Sequence, residues 1–108
     1  MKMVKAIVRP EKAADVLSAL SAAGHNSVTR ISILGRGKQR GLKVGDVYYD
    51  EIPKEMFCIV CEDSDVEDIV KVISQTARSG KEGAYGDGKI FINPVEQAYT
   101  ISSGKAEL

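Results

Sequence analysis

The run Met56-Phe57-Cys58-Ile59-Val60-Cys61 limits the possible folds more than any other stretch of this chain. Six apolar residues in a row suit a strand that is buried on both faces. Such a strand belongs inside a sheet with a layer on each side. Two helical patterns elsewhere can supply one layer. In a chain of 108 residues nothing is left to supply the second. The other face is therefore expected to meet another subunit.

The segments around this run have short, regular patterns. Lys2 to Val8 sets Val4, Ala6 and Val8 against Met3, Lys5 and Ile7, which predicts a strand ended by Arg9-Pro10. Ala13, Val16, Leu17, Leu20 and Ala23 recur at helical spacing, with Pro10 in the first turn and Gly24 as the stop. Ser27 to Leu34 alternates again and predicts a second strand. The third strand is Glu55 to Cys61. Val66, Ile69, Val70, Ile73 and Ala77 mark a second helix. Ser64 and Glu67 have capping-box spacing before it, and Gly80 is expected to close it. Lys89 to Asn93 predicts a fourth strand ended by Pro94, Val95 to Ile101 a short extended piece, and the rest a polar tail. Strand, helix, strand, strand, helix, strand is the ferredoxin-like βαββαβ pattern of an α+β sandwich, with both helices on one sheet face. A single domain over 1–108 is expected.

Between the second and third strands lies Leu34 to Lys54, too long for an ordinary connection in so small a domain. It holds four glycines and the cations Arg36, Lys38, Arg40 and Lys43, then an acidic, aromatic second half. A second glycine-rich loop, Ser79 to Lys89, follows the second helix. Gly83, Gly86 and Gly88 with Lys81 and Lys89 provide backbone N–H groups and charge that suit a phosphate. No Ser or Thr follows the lysine and a strand comes next, so this is not a Walker A motif. Each loop by itself is readable as an ordinary solvated turn. Two such loops converging on one sheet edge point to an anionic ligand such as a nucleotide.

Other chemistry is poorly supported. Cys58 and Cys61 match C-x-x-C, but residues three apart in a strand face opposite ways and lie about 10 Å apart. That is too far for a disulfide. His25 is the sole histidine, follows a helix end, and has no Ser or Cys nucleophile near it in sequence. No nucleophile elbow or metalloprotease motif is present, so no enzyme activity and no catalytic residue is expected. Zero net formal charge argues against general nucleic-acid binding. No apolar run reaches membrane length and the N-terminus lacks signal-peptide character, so no membrane insertion and a cytoplasmic location are expected.

These motifs together resemble the nitrogen regulatory PII signal-transduction family over essentially the whole chain. KAIVRPEK, GRGKQRG, IPKEM, TARSGK with YGDGKIF, and AYTISSG carry the resemblance in order. GRGKQRG with VGDVYYDEIPK is most similar to the subgroup encoded with nitrogen-fixation genes, which regulates nitrogenase. The resemblance implies a homotrimer with nucleotide sites between subunits. It makes the long connection a T-loop (about 35–54), the glycine loop a B-loop (about 79–89), and 95–108 a C-terminal segment.

The ligands it implies are ATP or ADP, and 2-oxoglutarate bound with Mg²⁺ and ATP, none of them covalent. Ile7, Gly35, Gly37, Lys38 and Gln39 would line the nucleotide. Gly86, Gly88 and Lys89 would hold its phosphates, and Thr29 and Val60 would approach the adenine from a neighbouring subunit. Gln39 would ligate Mg²⁺. Arg36, Gly37, Lys38, Gln39, Arg40, Gly41 and Lys54 would receive 2-oxoglutarate. Leu42, Val44, Asp46, Tyr48, Tyr49 and Glu51 would form the tip that meets a target, nitrogenase or another nitrogen-metabolism protein. The resemblance thus implies a non-enzymatic sensor. An alternative is a PII-like sensor of a different adenine nucleotide or metabolite, acting on carbon or ion transport. The chain departs from the family pattern at four places. Its T-loop is shorter, its B-loop is about three residues longer around Glu82–Ala84, Cys58 replaces an acidic residue, and Thr100 and Ser102 stand where arginines are usual.

Overall fold

The computed structural model describes residues 1–36, 42–44, 47–49 and 51–108. Its strands are β1 (Lys2–Val8), β2 (Thr29–Gly35), β3 (Leu42–Val44), β4 (Val47–Tyr49), β5 (Ile52–Cys61) and β6 (Gly88–Pro94). Its helices are α1 (Ala13–Ala22) and α2 (Val66–Ala77), each led in by a 3₁₀ turn, at Pro10–Lys12 and Asp63–Asp65. The main sheet runs β2-β5-β1-β6 with every neighbouring pair antiparallel. This is the ferredoxin-like order, with β5 as the third sheet strand.

Strand periodicity sets the two faces of the sheet. Val4, Ala6 and Val8 of β1 and Phe57, Ile59 and Cys61 of β5 are buried in one core cluster with Ala13, Val16 and Leu20 of α1 and Ile69, Ile73 and Ala77 of α2. The helical residues recur at three- and four-residue spacing, so each helix turns a single stripe inward. Phe57, Leu20, Ile69 and Ile73 are wholly enclosed. Each contributes about 1.5–3 kcal/mol relative to an exposed side chain. Met3, Lys5, Ile7, Met56, Cys58 and Val60 alternate with the buried residues, sit on the opposite face, and are half-buried. No layer of this chain's described residues covers that face.

The helix ends refine the expected boundaries. Gly24 does terminate α1. With φ of +90° it directs its own N–H to the Ser21 carbonyl and the His25 N–H to the Leu20 carbonyl, a Schellman arrangement. At α2 the Ser64–Glu67 capping box does not form. The 3₁₀ turn takes up Ser64, and Asp65 at the N-cap makes no side-chain cap bond. Gly80 does not close α2 either. The helix already stops at Ala77, because Arg78 adopts an extended conformation (φ −67°, ψ 134°). Beyond β6 no further strand forms. The tail turns back on itself through the Tyr99–Ala106 bridge and the Thr100 N–H to Lys105 carbonyl bond. Among the described residues no helix is long and apolar enough to cross a membrane.

The long connection is narrower than expected. β2 extends through Gly35, and β5 begins at Ile52 and so includes Pro53 and Lys54. β3 and β4 pair with each other inside it, Leu42 opposite Tyr49 and Lys43 opposite Tyr48.

Candidate functional site

The glycine loop between α2 and β6 is organised by a carboxylate. Asp87 accepts hydrogen bonds from the Ser79 hydroxyl, the Ser79 N–H (3.0 Å), the Ala84 N–H (2.9 Å) and Arg9 Nε (3.1 Å). The Ser79 hydroxyl first, then the backbone N–H groups and Arg9, holds the Asp87 carboxyl well below the usual carboxylate range. Arg9 also donates through Nη2 to the Tyr85 carbonyl (2.7 Å). The residue that ends β1 thus closes the loop from outside. Gly88 has φ of +121°, and a Cβ there would stand 1.8 Å from the Ile7 carbonyl oxygen. Only glycine lets β6 start so close to β1.

The same loop is tied to the long connection. Lys54 Nζ donates to the Gly86 carbonyl. Burial lowers the Lys54 ammonium below its ordinary value and the nearby Arg9 adds to this, while Glu11 and Asp87 oppose it. Gly35 lies directly beside Lys54, and a Cβ on it would sit 3.4 Å from the lysine stem. Across the sheet Ile7 pairs with Lys89 and Val8 with both Gly88 and Glu55. Six sequence-predicted residues are therefore gathered at one end of the sheet: Ile7, Gly35, Lys54, Gly86, Gly88 and Lys89. Of these, Ile7, Gly88 and Lys89 line a cavity of about 710 Å³ between α2, β6 and the glycine loop, while Gly35, Lys54 and Gly86 stand outside it.

Thr29 and Val60 are not part of that group. Thr29 pairs with Cys58 and Val60 with Met3, toward the other end of the sheet. They line a second cavity of about 830 Å³ that also includes Cys58, Cys61 and Glu62. Within a single chain the two sets remain apart. Arg36 is exposed just past β2, and Glu51 is exposed just before β5. Gly37, Lys38, Gln39, Arg40, Gly41 and Asp46 lie outside the described residues. Leu42, Val44, Tyr48 and Tyr49 fall on the β3–β4 pair.

Sequence reasoning passed over Arg9, Ser79 and Asp87, the residues that give the glycine loop its shape. A carboxylate between two glycines, Gly86-Asp87-Gly88, was the available signal. It also passed over Glu55, which is buried on the helix-side face and accepts from Arg30 Nε (3.1 Å) and Ser32 Oγ (2.9 Å). Arg30 first, then Ser32, lowers the Glu55 carboxyl. The two cysteines behave as ordinary strand residues. Both are free, Cys58 lies on the open face and Cys61 is buried, and burial pushes the Cys61 thiol up. His25 Nε2 lies 2.7 Å from Asp68 Oδ2, joining the end of α1 to α2.

This architecture defines a small ferredoxin-like α+β protein in which the start of β5 and the glycine loop are joined at one end of the sheet. The chain belongs to the family Nitrogen regulatory protein P-II, whose model matches residues 1–105. It is 51% identical over 108 residues, all of both chains, to the Nitrogen fixation nifHD2 region GlnB-like protein 1 of Methanosarcina barkeri. It is 54% identical over 101 residues, 94% of this chain and 93% of the relative, to the Nitrogen fixation nifHD region GlnB-like protein 1 of Methanothermobacter marburgensis. A protein of the same name from Methanobacterium ivanovii is 48% identical over 101 residues, with the same shares of each chain.

Proposed function

We propose that this chain is a trimeric signalling protein that reads adenine nucleotide and 2-oxoglutarate and regulates a target, nitrogenase, through its long loop. The observation that carries this reading is the hydrogen bond from Lys54 to the Gly86 carbonyl. It joins the return of the long loop to the loop suited to phosphates. A ligand that engages either one therefore alters the other, which is what a sensor with a displayed loop requires.

In this reading Gly86, Gly88 and Lys89 take the phosphates, with Gly35 and Ile7 beside them. The half formed by Thr29 and Val60 comes from a neighbouring subunit. Its position at the far end of the sheet supports an inter-subunit site. The half-buried open face of β1 and β5 supports assembly through that face. 2-Oxoglutarate takes Lys54 through a carboxylate. Mg²⁺ bound between nucleotide phosphates and 2-oxoglutarate would make the binding of the two interdependent. Gln39, the ligand assigned to it, lies outside the described residues. The names of the nifHD-region relatives support a role in nitrogen fixation.

A second reading is favoured by one observation. The tail from Tyr99 to Ala106 folds on itself and carries Thr100 and Ser102 at the positions where the family resemblance implies arginines. A sensor of a different adenine nucleotide, acting on carbon or ion transport, fits that feature. Calorimetry with ATP, ADP, AMP and 2-oxoglutarate separates the two. The leading reading expects 2-oxoglutarate to bind only when Mg-ATP is present. If 2-oxoglutarate stays unbound with Mg-ATP, carbon–nitrogen sensing is wrong for this chain.

A further inference from the structure

Arg78 is the first residue after α2, and it lines the same cavity as Gly88 and Lys89. Its stem packs against Gly83, where a Cβ would lie 3.3 Å from the arginine Cγ. A side chain at Gly83, whose φ is +80°, would crowd that stem. The backbone of Arg78 is engaged, donating to the Ser74 carbonyl (3.2 Å). Its guanidinium has no hydrogen-bond or ion-pair partner among the described residues, and the residue is exposed. The neighbouring carboxylate, Asp87, is already occupied by Ser79, Ala84 and Arg9. Glu82 lies on the same rim and offsets part of the positive charge. The cavity wall beneath is apolar, with Val70, Ile73, Ala77 and Ile90.

We propose that Arg78 is an anion-binding residue of the glycine-loop cavity, where it and Lys89 hold the terminal phosphates of the nucleotide. The inference rests on the nucleotide reading above and adds a residue to it. A planar guanidinium presents several donors in a fixed fork, a geometry that matches phosphate oxygens. The extended backbone at Arg78 turns the side chain out of the helix and along the loop. The alternative for a cation at a helix C-terminus is interaction with the helix dipole alone, which would affect stability and not ligand discrimination.

The test is calorimetric titration of the intact chain with ATP, ADP and AMP, for the unaltered protein, Arg78→Gln and Arg78→Lys, with melting temperatures alongside. Loss of one charge-assisted contact is expected to weaken ATP and ADP about tenfold or more. AMP should weaken less, and Arg78→Lys should recover part of the loss. Equal affinities for Arg78→Gln and the unaltered chain would overturn the assignment. So would an equal drop for all three nucleotides accompanied by a lower melting temperature, because that is the mark of a structural role. If the unaltered chain binds none of the three, the nucleotide reading fails first and this inference falls with it.

Discussion

Asp87 shows how one side chain can set a binding loop. It collects four donors from residues on both sides of the loop and from Arg9 at the end of β1. Its carboxyl is held low in the folded chain, so its contribution is present above the unfolded aspartate value of about 3.9 and is lost as pH falls. Asp87→Asn keeps the size and removes the anionic acceptor. At neutral pH the variant is expected to melt several degrees below the unaltered chain. The gap should shrink in melts taken progressively below about pH 4, where the unaltered protein begins to lose the same stabilisation. A gap that stays constant with pH would show that the charge of Asp87 contributes nothing. The sequence displayed Gly86-Asp87-Gly88 openly and still did not show this role. The partners Ser79 and Arg9 lie 8 and 78 residues away, and only the β1–β6 register brings Arg9 beside the loop.

At the scale of elements, the buried stripes of α1 and α2 were legible because amphipathic spacing reflects burial directly. Ala13, Val16, Leu20, Ile69, Ile73 and Ala77 are all enclosed. Element ends were legible only where backbone chemistry decides them. Gly24 has no Cβ to oppose a φ of +90°, and the chain stops α1 there. Ser64 and Glu67 had the right spacing for a cap, but a 3₁₀ turn occupies Asp63–Asp65 and the box has no room to form. Gly80 looked like a stop for α2. Instead the extended backbone at Arg78 stops it, and the Ser79 N–H goes to Asp87. The connection after β2 shortened for a similar reason, since Gly35 pairs with Ile52 and continues the ladder. These differences yield a prediction. Gly24→Ala must strain the left-handed position, although open space surrounds it. The expected cost is about 1 kcal/mol, seen as a lower urea midpoint with an unchanged slope. Gly80 also has a positive φ, +64°, with open space around it, but it terminates no helix. Gly80→Ala tests whether the cost comes from the conformation alone. Equal losses at the two glycines mean that the Schellman bonds at Gly24 add nothing.

At the scale of the whole molecule, the dominant feature is the sheet face that the helices leave open. Met56 and Cys58 of β5 lie there with Ile7 of β1, Ile31 of β2 and Phe91 of β6, and Ile31 and Phe91 are 43% and 47% exposed. The continuous apolar run at 56–61 by itself implies this face. A strand selected to be apolar on both sides has half of that selection unexplained in an isolated chain. Covering the face with further copies would account for it, and the function proposed above needs such copies for the Thr29–Val60 half of the site to meet a neighbour's glycine loop. Met56→Lys tests both consequences together. Its side chain faces away from the core cluster, so helix content by circular dichroism should be preserved. A lysine there places an unpaired charge inside the proposed interface, which costs several kcal/mol. Sedimentation should show the unaltered chain as a trimer and the variant as a smaller species. Nucleotide affinity should fall in proportion to the loss of assembly, although Met56 belongs to neither loop. An unaltered chain that sediments as a monomer would refute assembly through this face. A Met56→Lys monomer that binds nucleotide as well as the unaltered trimer would show that Gly86, Gly88 and Lys89 suffice without a neighbour's Thr29 and Val60.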